Sequence, residues 1–191
     1  QRKKMRSTVR RKTNQLSKLY ALEFDIASTS EQTASAVAAY EDVYNASWKR
    51  PGPYPRFIPE LAAQLAQSGA LRLGLLMLDG RVVAVQFWFV HGRVAHILKL
   101  AYDAEFSQYS VGTLLSMKLV GHSSIEENQV TTIDFLGGDD DYKKHWMSGQ
   151  RERIGIEVLN PTSLVGMTTV ARRSLGKIKR HLTTRKFQFS R

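Results

Sequence analysis

The 191-residue chain contains no cysteine. That absence excludes disulfides, thiolate metal centres and a thiol nucleophile, and it fits a cytosolic setting. Long apolar runs are also missing: no stretch approaches the roughly 20 residues needed to cross a bilayer. No signal-peptide pattern opens the chain, whose first 15 residues are polar and basic. No His/Asp/Glu spacing resembles a metal site. Proline is scarce, five in all, and three of these (Pro51, Pro53 and Pro55) break the chain between two helical patterns. The chain begins with Gln1 rather than Met, which points to a processed chain or a segment of a longer polypeptide with an upstream domain.

Acidic residues are few at both ends. Residues 1–18 and 171–191 each carry eight Lys/Arg and no acid, so together they hold 16 of the 28 basic residues. The net charge of +11 therefore comes from two terminal segments, while the stretch between them carries a net negative charge. Such tails suit contact with RNA or an anionic membrane surface, or they are solvated amphipathic helices. Residues 1–18 contain no aromatic residue of the kind that nucleic-acid grooves use for stacking. Over 162–182, apolar residues including Leu164, Val165, Val170, Leu175, Ile178 and Leu182 recur at helical spacing beside a basic face.

The patterning predicts one domain over 19–160, flanked by a basic N-terminal helical segment (1–18) and a basic C-terminal helix and tail (161–191). Leu22, Phe24 and Ile26 alternate with Glu23 and Asp25, as in a strand. Ser28 with Glu31 fits a capping box opening a helix to Ala46, whose stripe is Val37, Tyr40, Val43 and Tyr44. A second helix runs from about Pro59 to Gln67 and ends at Ser68-Gly69. Three strands follow, Leu71–Leu78, Val82–Val90 and Arg93–Tyr102, joined by turns at Asp79-Gly80 and His91-Gly92. A loop over Asp103–Ser110 leads to a helix over Val111–Ile125, closed by Glu126-Glu127-Asn128. The remaining pattern is a strand at Thr131–Leu136, a short helix at Asp140–Met147, and a last strand at Arg153–Leu159 ended by Pro161. A meander followed by strand–helix–strand gives a mixed α/β fold, in which the strands flanking the 111–125 helix are parallel.

Two stretches carry candidate chemistry. Gln108-Tyr109-Ser110-Val111-Gly112-Thr113 lies between a strand and a helix. Free N–H groups and the dipole at a helix N-terminus bind anions such as a pyrophosphate, and Gly112 permits close approach; the alternative is an ordinary capped helix. Asp134 ends a buried strand. It is either a general base or a structural carboxylate bonded to the Gly137-Gly138 turn. His96 lies on the third meander strand, sharing a face with Val94, Leu98 and Leu100. It is either a base with a pKa near working pH or a core imidazole. Asp139-Asp140-Asp141 is best explained by the preference of acids for a helix start, with Mg²⁺ binding as the alternative. Trp146 reads as core.

The run from Asp134 to Trp146, read as Asp-Phe-x-x-Gly-x-x-x-Tyr-Lys-x-x-Trp, resembles the signature of CelD-like acetyltransferases within the GNAT superfamily. It is distantly similar to the FemAB aminoacyl transferases, and Ser47-Trp48-Lys49 suits the CelD-like branch as well. The likeness spans roughly residues 20–160. It departs from the usual (Gln/Arg)-x-x-Gly-x-(Gly/Ala) loop, keeping only Gly112. The resemblance implies a GNAT-type fold and acetyl-coenzyme A, or another acyl-coenzyme A, as donor, held by residues 108–113 and Lys143. It implies an acceptor amine or hydroxyl on a sugar, polysaccharide precursor or small metabolite, and no metal. Within it, Asp134 or His96 would serve as base, and Tyr142 would protonate the departing thiolate unless it is only a packed aromatic. Lys143 and Lys144 would meet phosphates unless they are merely solvated. Direct transfer asks for a neutral nucleophile beside the thioester and a backbone N–H from strand 93–102 to polarise its carbonyl. Two further readings remain: an aminoacyl-tRNA-dependent transferase whose tails bind RNA, and an inactive GNAT-like module in envelope-polysaccharide assembly.

Overall fold

The computed structural model describes residues 2–50, 52–125, 130–138, 140–152, 154–160 and 162–172. In order the elements are α1 (Arg2–Leu16), β1 (Leu22–Ala27), α2 (Ser30–Asn45), α3 (Phe57–Gln67), β2 (Leu71–Leu78), β3 (Arg81–His91) and β4 (Val94–Tyr102). A 3-10 helix (Ala104–Tyr109), α4 (Val111–Ile125), β5 (Thr132–Asp134) and α5 (Asp141–Lys144) follow. The chain forms two compact units, Gln1–Trp146 and Met147–Arg191. Among the described residues no helix is long and apolar enough to cross a membrane.

The five strands pair in chain order, β1-β2-β3-β4-β5. Asp79 and Gly80 both take positive φ (50° and 77°), the backbone of a two-residue hairpin turn whose twist matches its strands. The β1–β2, β2–β3 and β3–β4 pairs are antiparallel, whereas β4 and β5, linked through α4, run parallel. This is the mixed sheet that the strand–helix–strand pattern predicts.

Register separates the two faces. The row Gly74, Gln86, Leu100 turns to α4: Ser116 Oγ donates to Gln86 Oε1 (3.1 Å), and Leu119 and Gly112 of α4 pack on Gly74 and Leu100. By the alternation of strand side chains, the next rows face the other way. Leu73 and Phe87 of one such row, which ends at Lys99, and Leu75, Val85 and Ala101 of the next form a core with Val37, Tyr40 and Val43 of α2 and Ala62 and Ala66 of α3. Each fully buried Leu, Val or Phe here contributes about 1.5–3 kcal/mol relative to exposure.

Several expected elements shift. The capping box moves on by one residue: Thr29 is the N-cap, and its N–H donates to Gln32 Oε1 (3.3 Å), because the helix begins at Ser30. The stretch 103–110 is not an open loop but the 3-10 helix, since the Asp103 carboxylate accepts from the Glu105 N–H (3.0 Å) and winds the chain there. Strand β5 has three residues, because Leu136 adopts a positive φ (54°) that no strand accommodates. The helix expected over 140–147 is the single turn α5. Among the described residues of 154–159 there is no strand, and Ile154, Ile156 and Val158 are each more than 80% exposed. Alternation alone lacks a paired neighbour to make it a strand. A helix covers residues 164–172. The expectations for Pro51, Glu126-Glu127-Asn128, Asp139, Arg153, Pro161 and the 173–191 tail lie outside the described residues.

A Cβ at Gly74 would lie 2.7 Å from Leu119 Cδ1, in a fully buried contact. We expect Gly74→Val to lower stability by about 1–3 kcal/mol through overpacking, and Leu119→Ala added to it to be less than additive in urea unfolding. Full additivity would show that the two positions do not share one space.

Candidate active site

The parallel seam between β4 and β5 is short. It pairs Val94 with Thr132, Ala95 with Ile133 and His96 with Asp134, and there it ends. Beyond His96, β4 continues to Tyr102 with no strand on that side among the described residues. Its main-chain groups along 97–102 are therefore the natural partners for an extended ligand.

The bulge on β4 decides which side chains reach this opening. Phe87 pairs with Lys99 and Trp88 with Ile97, which makes Leu98 the extra residue. A bulge places two residues opposite one and shifts the alternation that follows. His96 consequently shares the α2/α3 face with Lys99 and Ala101, not with Leu100, which goes to α4. The expected grouping of His96 with Leu100 is corrected by that one residue.

At the far end of the opening the 3-10 helix delivers the chain into α4. Asp103, buried, receives the Arg81 guanidinium as well as the Glu105 N–H, and Arg81 also lies 3.5 Å from Glu105. Ser110 then takes a left-handed φ of 58° and its N–H donates to Ser107 O (3.0 Å). The N–H groups of Thr113 and Leu114 both donate to Ser110 O (2.9 and 3.1 Å). The amides of Val111 and Gly112, first in the helix, have no acceptor among the described residues, as the geometry of a helix start requires. Val111 and Gly112 are buried, and the half-buried Ser110 and Thr113 mark the accessible side of the corner. A Cβ on Gly112 would come 3.1 Å from Tyr102 Cδ1 and 3.4 Å from Leu100 Cδ1, so the glycine lets α4 lie close on β4. Gln108 is exposed, and its carbonyl accepts from Lys12 Nζ (2.7 Å); Tyr109 meets the edge of Tyr20 at 6.4 Å. Helix α1 thereby braces the corner, a contact no sequence pattern indicated.

His96 stacks on Phe89 at 4.7 Å between ring centroids. Its buried Nδ1 has no hydrogen-bond partner among the described residues, and Asp134 Oδ2 lies 3.9 Å away. Asp134 Oδ1 accepts from the Leu136 N–H (2.8 Å), so the carboxylate both faces the histidine and secures the turn after β5. Lys143 is buried, and its ammonium donates to Gly137 O (2.6 Å) and pairs with Asp140 at 3.0 Å. It holds the Gly137-Gly138 turn. Lys144 pairs with Asp141 at 2.8 Å in solvent. Tyr142, 44% exposed, has its phenol raised above the usual pKa by partial burial first and by the Asp140 charge second. It therefore stays protonated into alkaline solution. Trp146 is half-buried at 6.4 Å from Phe135. Among the described residues no three His, Asp or Glu side chains gather as metal ligands.

Sequence reasoning had singled out Trp48 and Lys49 only as a mark of resemblance. In the fold, the Trp48 ring lies 4.5 Å from that of Tyr102, bringing the segment after α2 to the open edge of β4. The signal was available in an exposed Trp-Lys pair after a helix, without any hint of its destination.

Residues 3–144 match the family model described as an acetyltransferase (GNAT) domain. No curated protein sequence matches the chain significantly. Among solved structures the chain is similar to a possible acetyltransferase from Clostridium difficile 630, with TM-score 0.51 and 14% identity over 73% of this chain and 99% of that one. It is similar to a GNAT family acetyltransferase of Staphylococcus aureus, with TM-score 0.52 and 9% identity over 72% and 99%. It is also similar to AAC(6')-Iy in complex with the bisubstrate analogue CoA-S-monomethyl-acetylneamine, with TM-score 0.53 and 12% identity over 73% and 99%. The match to the ribosomal-protein-S18-alanine N-acetyltransferase of Escherichia coli spans 60% of that chain's length.

Replacing Asp140 by Asn removes the negative charge that helps to hold the Tyr142 proton, while burial still acts. We expect the Tyr142 phenol to titrate at lower pH in Asp140→Asn than in the unaltered protein, though still above an exposed tyrosine. Ultraviolet tyrosinate titration, with Tyr142→Phe as the blank, measures it; an upward shift would contradict the assigned cause.

Proposed function

Because the chain belongs to the GNAT acetyltransferase domain family, and so to the acyl-coenzyme A-dependent transferases, we propose that it moves an acetyl or other acyl group to an amine or hydroxyl of a sugar, polysaccharide precursor or small metabolite. The observation that carries this reading is the seam. Strand β4 leaves β5 after three residue pairs, and its open edge runs toward the corner where the Val111 and Gly112 amides lack acceptors among the described residues.

An acyl-coenzyme A fits these features in kind. Its pyrophosphate suits the start of α4, flanked by Gln108, Tyr109, Ser110 and Thr113, and its amide-bearing arm suits an unpaired strand edge. When bound, it supplies an acyl group already activated as a thioester. The chain's residues do the rest. The β4 edge orients the donor and presents N–H groups to its carbonyl oxygen. The unpartnered His96 Nδ1 and the nearby Asp134 carboxylate face the α2/α3 side, where an acceptor would enter, and His96 is the group we assign to remove its proton. Tyr142, held protonated, is the group we assign to donate a proton to the leaving sulfur. Lys143 positions the turn that carries Tyr142, and its engaged ammonium makes this role more apt than direct contact with cofactor. The Asp134–Trp146 run supports placement in the CelD-like branch, in keeping with a glycan-related acceptor.

Calorimetry on the 191-residue chain tests the reading. Acetyl-coenzyme A should bind and raise the melting temperature by mass action. Gly112→Val, which crowds Tyr102 and α4, should weaken that binding. His96→Ala and Tyr142→Phe should retain binding and lose about 10²–10⁴-fold in turnover, the usual worth of positioned acid–base groups. Salt-sensitive tRNA binding with no response to acetyl-coenzyme A would instead favour the aminoacyl-transferase alternative.

A further inference from the structure

The open edge of β4 has an aromatic neighbour that is fixed in place and yet left in water. Trp48, in the segment after α2, is 58% exposed. The backbone on both sides of it is fastened to the end of α2. Ser47 Oγ donates to Tyr44 O (2.7 Å) and accepts from the Lys49 N–H (3.2 Å), and the Tyr44 hydroxyl donates to Arg50 O (3.2 Å). The Trp48 ring lies 4.5 Å from that of Tyr102, the last residue of β4. Tyr102 is also the residue that Gly112 allows α4 to approach, since a Cβ there would come 3.1 Å from Tyr102 Cδ1. Trp48, Tyr102 and Gly112 thus form one row of contacts, from the segment after α2 to the start of α4, at the Tyr102 end of the open edge.

A hydrated indole keeps apolar surface available for burial, and a segment already fastened loses little further freedom when a ligand covers it. Tyr54 and Phe57 are exposed in the same segment, but Trp48 is the one of the three whose ring rests on β4. The chemistry of the donor brings one of its parts to this place. Read from the thioester, the coenzyme A arm passes through two amides to a pantoate unit with two methyl groups, and then to the diphosphate. With the thioester beside His96 and the diphosphate at the start of α4, the arm follows β4 from residue 97 toward Tyr102. The pantoate, which adjoins the diphosphate, then falls beside Tyr102 and Trp48. Its two methyl groups are the bulkiest apolar part of the arm, and a large aromatic side chain is a suitable surface to bury them.

We propose that Trp48 is a donor-binding residue, whose ring, held against Tyr102, packs on the pantoate of the coenzyme A arm. This rests on the transferase reading and deepens it, adding a wall from the segment after α2 to the strand edge and the helix start. The contacts favour a donor over an acceptor role: from Trp48 they lead through Tyr102 to α4, whereas His96 belongs to the α2/α3 face. In the bound state the indole covers one side of the arm, and β4 bonds its amides on another.

The test uses the whole chain and two readouts. The first is tryptophan emission. Of the three tryptophans, Trp88 is fully buried and Trp146 half-buried, so the difference between the unaltered chain and Trp48→Phe isolates the exposed Trp48. Acetyl-coenzyme A should shift that emission to shorter wavelength as the ring leaves water. ADP, which has the diphosphate and nucleotide but no arm, should not shift it. The second readout is calorimetry with acetyl-coenzyme A. Trp48→Ala should weaken binding about tenfold, a difference of ~1.4 kcal/mol, and Trp48→Phe should recover most of the loss. Tyr54→Ala, in the same segment, should stay within about twofold of the unaltered chain. The assignment is overturned if Trp48→Ala binds acetyl-coenzyme A as the unaltered chain does, if Tyr54→Ala weakens binding as much, or if bound acetyl-coenzyme A leaves the emission unmoved. It is also overturned if ADP moves the emission equally, which would give the ring to the nucleotide. Failure of the transferase reading looks different: the unaltered chain would not bind acetyl-coenzyme A. Circular dichroism establishes that each variant is folded.

Discussion

The parallel pairing of β4 with β5 stops after three residue pairs, and the arrangement of the site follows from that stop. A strand edge without a partner exposes main-chain donors and acceptors that must find water or a ligand. Here the edge appears partway along β4, because β5 begins the pairing and then leaves it. Leu136 enforces the departure through its positive φ, and Asp134 secures it by accepting the Leu136 N–H. The same carboxylate faces His96. One side chain thus ends a strand and furnishes half of the candidate acid–base pair.

Two local irregularities place the remaining groups. The extra residue Leu98 rotates the end of β4, so that His96 and Lys99, three positions apart, stand on one face. A regular strand would have put them on opposite faces. On the other side, buried Asp103 winds the 3-10 helix and pairs with Arg81, and the chain reaches the left-handed Ser110 from which α4 departs. Gly112 allows α4 to lie against Tyr102 and Leu100. The start of α4 and the face that carries His96 therefore lie on opposite sides of the sheet.

Much of this was readable beforehand. The hairpin turn at Asp79-Gly80, the meander, the helix after Ser110 and the parallel relation of the strands around it follow from short-range chemistry: turn residues, alternation and helical spacing. The elements that failed depend on partners. Residues 154–159 alternate as well as any strand, yet no strand of the described residues pairs with them. The 3-10 helix after Asp103 needed a carboxylate cap whose geometry composition does not reveal. For Lys143 the resemblance implied contact with phosphates, with a solvated lysine as the alternative. It is buried and bonded to Gly137 O, a contact no local pattern reveals.

By itself the sequence determined the meander, the helix start after Ser110 and the strand that follows α4, because each is set by residues close together along the chain. Only the tertiary structure decided that β4 opens beyond His96, that Leu98 bulges, that α1 braces Gln108 and that Trp48 reaches Tyr102. Those features depend on contacts between residues far apart in sequence, where packing and strand register select one arrangement among many that local preference allows.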